Sequence, residues 1–330
     1  MSDPADTPAP PPEPAPAAAP PIAPPTRSFL VQKFAKLSLN NLTVIGYSVA
    51  GEETVCQIPE LNVCFDIGRA PYFALTSDFV CISHGHMDHL AGIAYYLSQR
   101  FFQGMKPGTI LLPRDLVPGV DQMLRCWRGI ERQQTPYKLV GLAPGESFAV
   151  RKDFLIRAVE THHGGSSLGY ALVSVREKLK PEYLGRPGPE LAALRKAGTE
   201  IQYRTEVPLV TFLGDTSFGT VFDQPDVINA EILITECTFY EADHKARAKH
   251  GRHLHVDTFV EKVVPKLKNK YVVVSHVSRR TGVRRAKRTL SRRLGAEEMK
   301  RFLFLMDLEN ATDAGDMEDL GPKPDNDAGE

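Results

Sequence analysis

The sequence predicts an α+β chain in which two β-sheets are covered by helices. Three observations carry this expectation. Short apolar runs separated by turn residues come first in succession and then recur between helical stretches. Several of these runs stop at a cluster of polar residues, as buried strands do. The composition is globular, with 330 residues, 42% hydrophobic and 24% charged, long enough for one large core or two modest ones. A wholly disordered or fibrous chain is excluded. No window reaches the roughly 18 consecutive apolar residues of a membrane span, and the first residues lack the basic and apolar regions of a secretory signal.

Taken in order, Leu42–Tyr47, Thr54–Ile58 and Val63–Asp66 read as short strands set off by Gly, Glu and Pro turns. Phe79–Ser83 is a compact apolar strand, and His89–Phe101 has the helical spacing of Leu90, Ile93, Ala94 and Leu97. Thr109–Leu112 is a strand, and Pro118–Arg132 a helix with Val120, Leu124 and Trp127 on one side. Phe154–Thr161, Gly169–Arg176, Leu209–Gly214, Ile232–Glu236 and Tyr271–Ser275 continue the strands, with helices over Phe259–Leu267 and Arg284–Leu294.

The balance of 40 basic and 40 acidic residues hides a segregation of charge. Residues 1–27 form a Pro/Ala-rich segment: the first 25 hold 11 of the 26 prolines and no basic residue, which predicts an extended, disordered tail. From Asp307 to Glu330 there are nine acidic residues and one lysine, Lys323, a second tail expected to be disordered. The intervening 26–306 carries 39 basic and 28 acidic residues, a difference of +11. Eight of the basic residues lie between Arg279 and Arg293 without an acid among them. Such a run suits a phosphate-rich partner; the alternative is a solvated helix face neutralised by the acidic tail. One domain is expected over 28–306. Five cysteines without CxxC spacing argue against a disulfide scaffold or a thiolate zinc site, and for a reducing, cytoplasmic compartment.

The chemistry begins at Ser83-His84-Gly85-His86-Met87-Asp88-His89. Four residues able to bind metal occupy six positions, directly after a buried strand. On a tight loop His84 and His86 can point to one side, while Asp88 and His89, starting the next helix, reach a neighbouring point. This suits two cations a few ångström apart, and imidazole and carboxylate donors suit Zn²⁺ and also Mn²⁺. The alternative, three histidines scattered on a polar loop, fits poorly with three of only ten histidines gathering beside an aspartate.

HxHxDH after an apolar strand resembles the metallo-β-lactamase superfamily. The resemblance implies two β-sheets packed face to face with helices on both outer faces, and metals at the strand ends. It also implies the remaining ligands: His163 in Glu160-Thr161-His162-His163, with His162 as an alternative; Asp215 in Leu213-Gly214-Asp215 as the carboxylate bridging both metals; and His276 at the end of Val272-Val273-Val274-Ser275-His276. Asp66, in Asp66-Ile67-Gly68, is read as supporting the site.

Three further segments resemble ribonuclease Z, the family of tRNA 3′-processing endonucleases. Thr235-Glu236-Cys237-Thr238-Phe239 and His253-Leu254-His255 match its proton-shuttling pair at Glu236 and His253, with His255 where the family has a threonine. A buried polar pair of no catalytic role is the alternative for these two. His276-Val277-Ser278-Arg279-Arg280 matches a substrate-binding arginine at Arg280, with Thr281 in place of a tyrosine. Lys180–Gly198 resembles the tRNA-clasping arm, with Gly188 and Pro189 at its Gly-Pro element; an ordinary Gly/Pro loop with a short amphipathic helix is the alternative.

The implied activity is a dinuclear-metal phosphodiesterase that removes the 3′ trailer of precursor tRNA. A water bridging two dications would be the nucleophile, with Asp88, Glu236 and His253 catalytic and His253 protonating the leaving 3′-oxygen. Two divalent ions are expected as cofactors, zinc before manganese, with an RNA partner, no membrane and a homodimer. Two other readings stay open: a hydrolase of the same fold acting on a small phosphodiester, thioester or lactone, and a non-catalytic nucleic-acid-binding relic.

Overall fold

The computed structural model describes residues 34–307 and 311–312. The two expected tails therefore lie almost entirely outside the described residues. The expected boundary at 306/307 is crossed, because the Asp307 side chain is buried and ion-paired to Lys287 at 2.5 Å, and Ala311–Thr312 pair with the first strand.

Fifteen strands form two sheets among the described residues. The first sheet contains β1 (Phe34–Leu39), β2 (Leu42–Val49), β3 (Glu53–Ile58), β4 (Val63–Phe65), β5 (Phe79–Cys81), β6 (Thr109–Pro113), β7 (Lys138–Leu142) and β15 (Ala311–Thr312), in the order β15-β1-β2-β3-β4-β5-β6-β7. The second contains β8 (Ser147–Arg151), β9 (Phe154–Glu160), β10 (Leu168–Leu179), β11 (Gln202–Phe212), β12 (Ile232–Glu236), β13 (Tyr271–Ser275) and β14 (Phe302–Phe304), in the order β14-β13-β12-β11-β10-β9-β8. Each sheet is antiparallel in one half and parallel in the other: β15 to β4 and β8 to β11 pair antiparallel, β4 to β7 and β11 to β14 parallel.

Alternation along the strands builds three layers of contact. Inward residues of both sheets, among them Val44, Cys56, Val63, Phe65 and Leu111 from one and Ile156, Tyr170, Phe212, Ile234 and Val273 from the other, share one core. Phe65 and Phe212 stack across it with centroids 4.9 Å apart. The opposite faces are covered by helices. Ile45, Val55, Val80 and Ile110 pack under α2 (Ile93–Phe102) and α3 (Val117–Glu131), which follow the short α1 (Met87–Leu90). Leu155, Val173, Leu233 and Val272 pack under α5 (Pro225–Ile228), α7 (Val256–Thr258) with its π-helical continuation (Phe259–Val263), and α8 (Val283–Met299). The remaining helices are α4 (Gly188–Lys196) and α6 (Lys245–Gly251). The architecture is the expected sandwich, sheets face to face and helices outside.

Several expectations are corrected in detail. The helix expected over His89–Phe101 is two helices, because the chain stops to let Gly92 N–H donate to Gly68 O at 2.6 Å. Trp127, expected on one side of the helix with Val120 and Leu124, is 45% exposed while those two are buried. Strands β10 and β11 run past the sheet and pair as far as Leu179↔Gln202, and their connection carries α4, which buries no residue. That projection takes in residues 176–200.

Candidate metal centre and its cavity

The parallel strands of both sheets end on one side of the sandwich, where ligands bind in sheets of this kind. Asp66 follows β4, Ser83 and His84 follow β5, Asp215 follows β11, Glu236 ends β12 and His276 follows β13. The two sheets are tied here. Tyr170 Oη donates to Ile82 O at 2.7 Å, Leu168 N–H to Ser83 O at 2.9 Å, and His276 N–H to Ser48 Oγ at 3.0 Å. Asp66 and His276 both adopt left-handed backbone, with φ of 51° and 56°. That conformation costs a non-glycine residue about 1–2 kcal/mol and persists because the surrounding bonds fix it.

Two groups of donor atoms face one another. In the first, His84 Nε2 and His86 Nδ1 are 2.9 Å apart, His163 Nε2 lies 3.4 Å from His86 Nδ1, and Asp215 Oδ2 lies 3.8 Å from both His84 Nε2 and His163 Nε2. In the second, Asp88 Oδ2 lies 3.5 Å from His89 Nε2 and 3.6 Å from His276 Nε2, and Asp215 Oδ2 is 3.5 Å from His89 Nε2. Ligands about 2.1 Å from a tetrahedral ion stand about 3.4 Å from one another, so these separations suit two ions. Asp215 Oδ2 thus belongs to the first group and touches the second at His89 Nε2.

The far nitrogen of each buried ring is tied down. His89 Nδ1–H donates to Asp66 Oδ2 at 2.6 Å. His84 Nδ1–H donates to Ser83 Oγ at 3.0 Å, whose own proton goes to Asp66 Oδ2 at 2.8 Å. His163 Nδ1–H donates to Arg252 O at 3.3 Å. His276 Nδ1–H donates to Thr238 Oγ at 3.1 Å, and that hydroxyl donates to Glu236 Oε2 at 2.5 Å. These bonds fix the tautomers so that each Nε2 presents a lone pair inward, the usual support for a ligating imidazole. His89 Nε2 and His276 Nε2 are buried with no hydrogen-bond partner among the described residues, a costly state that a cation relieves. The residues fit a divalent-metal centre.

Beside it, Glu236 is fully buried and accepts four bonds: from Thr216 N at 2.8 Å, Leu254 N at 3.0 Å, Thr238 Oγ at 2.5 Å and His253 Nδ1 at 2.9 Å. Asp215, His253 and His276 also fall within common ligand reach, but Glu236 occupies the His253 nitrogen concerned.

The electrostatics follow from burial set against charge. Burial pushes His84 down to about 2 and also lowers His163. Burial disfavours charge at His89 and His253 too, yet carboxylates overcome it: Asp215 and Asp66 raise His89 well above the usual range, and Glu236, then Asp215, raise His253 to about 9. Burial would raise Asp88 and Asp215, but the His276 and His89 rings beside them hold Asp88 low and Asp215 well below the ordinary carboxylate range. Burial raises Asp66, with His89 and Ser83 opposing. The cluster keeps Asp88 and Asp215 ionised and concentrates negative charge where cations would sit.

A cavity of about 690 Å³ opens onto the cluster, lined in part by His86, Asp88, Asp215, His253 and His276. Arg280 is exposed on its rim. His162 turns away, its Nε2 2.9 Å from Thr220 Oγ, so His163 faces the centre. His255 caps α7 instead: its Nδ1 accepts from Asp257 N at 3.1 Å and its Nε2–H donates to Glu241 O at 2.9 Å. Gly188 and Pro189 start α4 on the arm and do not line this cavity. Sequence reasoning missed Ser83, Thr238 and Arg252, which orient the rings, and Arg247 and His250, which line the cavity. Only Ser83, adjacent to the motif, carried any local signal.

Residues 73–277 match the family model described as Beta-lactamase superfamily domain. The chain is 35% identical to tRNase Z TRZ1 of Arabidopsis thaliana over 77% of this chain and 91% of that protein. It is 32% identical to the chloroplastic tRNase Z TRZ2 of the same plant, over 74% and 70%. Among solved structures, human tRNase Z, short form, is 14% identical, with a TM-score of 0.47 over 83% of this chain and 96% of that one. The metal-ligand geometry and the sequence relatives agree, and the chain belongs to the metallo-β-lactamase superfamily and, within it, to the tRNase Z (ribonuclease Z) family.

Proposed function

We propose that this chain is a metal-dependent endoribonuclease that hydrolyses the phosphodiester joining the body of a precursor tRNA to its 3′ trailer. The observation that carries the reading is Asp215 Oδ2, which completes the first donor group and lies 3.5 Å from His89 Nε2 of the second, next to a Glu236–His253 pair opening on the same cavity. The names of the relatives support it.

His84, His86, His163 and Asp215 would hold one ion, and Asp88, His89, His276 and the same Asp215 the other. Bound there, divalent cations supply Lewis acidity that lowers the pKa of water and stabilises the attacking and leaving oxygens of an in-line displacement. Asp88, which lines the cavity, offers its carboxylate to the attacking water. As that oxygen bonds to phosphorus, the P–O3′ bond breaks and His253 gives the departing 3′-oxygen its proton. Glu236, fixed by four donors, orients His253 and balances its charge, a contribution of roughly 10²–10⁴-fold. The tRNA leaves with a 3′-hydroxyl and the trailer with a 5′-phosphate. Arg280 at the rim and Gly188 and Pro189 on the arm would contact RNA away from the reacting atoms.

Zinc is the proposed ion, because imidazole and carboxylate donors without a thiolate suit it, and manganese next. The hydrolase domain, beginning near residue 28, extends at least to Thr312. Five free cysteines suit a reducing compartment, and we assign the cytoplasm. We also infer a homodimer through the exposed apolar side chains of α2 and α3. Among the described residues no helix is long and apolar enough to cross a membrane.

The deciding experiment compares kcat/KM of the metal-loaded protein on labelled precursor tRNA and on bis(p-nitrophenyl) phosphate. Cleavage at the trailer junction with kcat/KM far above that of the small diester is expected. Turnover of the small ester with none of the RNA would sink the reading.

A further inference from the structure

One wall of the cavity is helix α6. Ala246, Arg247, His250 and Gly251 face the cavity, while Ala248 is buried behind them. Several cations nearby are engaged: Lys245 pairs with Asp257 at 2.6 Å, Arg285 with Glu241 at 2.6 Å, and Arg279 with Glu52. Arg247 is exposed and has no ion pair or hydrogen bond with any described residue. Arg280, on the loop after β13, is the other such arginine lining the cavity. A guanidinium held at a cavity without an acidic partner is a ready phosphate ligand. The cavity exceeds what one phosphate needs, and its volume falls in the range that encloses a nucleotide-sized ligand. Phe239 adds an aromatic surface, edge-on to His253 with centroids 5.9 Å apart, of the kind on which bases stack.

We propose that Arg247, with His250 beside it, forms a phosphate subsite that binds the backbone phosphate neighbouring the scissile one. The site is thereby selective for a polynucleotide over an isolated diester. This rests on reading the centre as a phosphodiesterase acting on RNA. Small residues at 246 and 251 flank the two side chains and leave the wall open to the backbone.

The test uses the full-length, metal-loaded protein and Arg247→Ala and Arg247→Lys variants. The substrates are a labelled precursor tRNA, the same RNA with neutral methylphosphonates at the linkages flanking the cleaved one, and bis(p-nitrophenyl) phosphate. With metal content equal to the parent, Arg247→Ala is expected to lose at least ten-fold more kcat/KM on RNA than on the small diester. Arg247→Lys should recover part of the loss. The slope of log KM against log salt should fall by about 0.7, one released counterion on a single strand. The methylphosphonate at one flanking linkage should slow the parent but not the alanine variant. Equal losses on RNA and small diester, or a methylphosphonate effect unchanged in the variant at both linkages, would overturn the subsite while leaving the endoribonuclease reading intact. A parent protein that does not cut RNA at all would overturn both.

Discussion

His86 offers the cleanest test of ligation. It is the exposed member of the first donor group, yet its Nδ1 sits 2.9 Å from His84 Nε2 and 3.4 Å from His163 Nε2. Removing it empties no core space, so little stability is lost with the side chain. We expect His86→Ala to fold as the parent does, to lose bound metal by elemental analysis, and to lose all hydrolysis; full activity would refute the assignment. His253 separates ligation from proton transfer. His253→Ala should keep its metal and slow cleavage of unactivated diesters by roughly 10²–10⁴-fold, while p-nitrophenyl diesters, whose leaving group needs no proton, change far less. An unchanged single-turnover rate on RNA would remove His253 from the mechanism. The candidate ligands could be picked out because their chemistry is local to a motif or a strand end. Arg252 was not: what positions His163 is its backbone carbonyl, and a carbonyl leaves no mark on residue type.

At the level of elements, the sequence read the long apolar strands well and the weak ones poorly. Ile232–Glu236 and Tyr271–Ser275 agree with the structure to the residue, since strands buried on both faces are continuous apolar runs. Strand β8 was missed because it alternates exposed and half-buried residues at a sheet edge, and β14 because it is three residues long. Helix α6 was missed too: seven residues with one buried side chain give no amphipathic stripe. Yet α6 sets the position of His253 through its last residue. A Cβ at Gly251 would lie 2.9 Å from His253 Cδ2. Gly251→Ala should therefore push the ring off Glu236 and reproduce much of the His253→Ala rate loss, with metal content and cooperative melting preserved. Parent-like rates would show that the ring has room to yield.

For the whole molecule, the order of strands in the two sheets could not be read from sequence, and it is this order that gathers residues from 66 to 276 on one side of the sandwich. The centre thus ties the two sheets together, and the metal should stabilise the fold as any ligand of the native state does. Removing it with a chelator from a level 100-fold above its Kd forfeits about 2.7 kcal/mol. In a domain of this size that should lower Tm by roughly 5 °C, measurable by calorimetry before and after metal is restored. An unchanged Tm after elemental analysis confirms removal would mean that the donor groups do not hold the ion.

The outer face of the first sheet supports the last prediction. Helix α3 buries Val120 and Leu124 but leaves Met123, Trp127 and Ile130 at 40%, 45% and 68% exposure, and α2 beside it exposes Tyr95, Phe101 and Phe102. Helices that cover a sheet usually turn polar residues outward, and a gathering of large apolar side chains on a surface marks a contact. An isologous pair would bury the same patch on both copies, away from the cavity, so that each copy keeps an accessible centre. Sedimentation at micromolar concentration should give a dimer for the parent. The double change Trp127→Asp and Ile130→Asp should give a monomer with unchanged metal content and unchanged turnover of bis(p-nitrophenyl) phosphate, because neither side chain lines the cavity. A parent that sediments as a monomer across that range would remove the dimer, and a variant that stays dimeric would move the interface elsewhere.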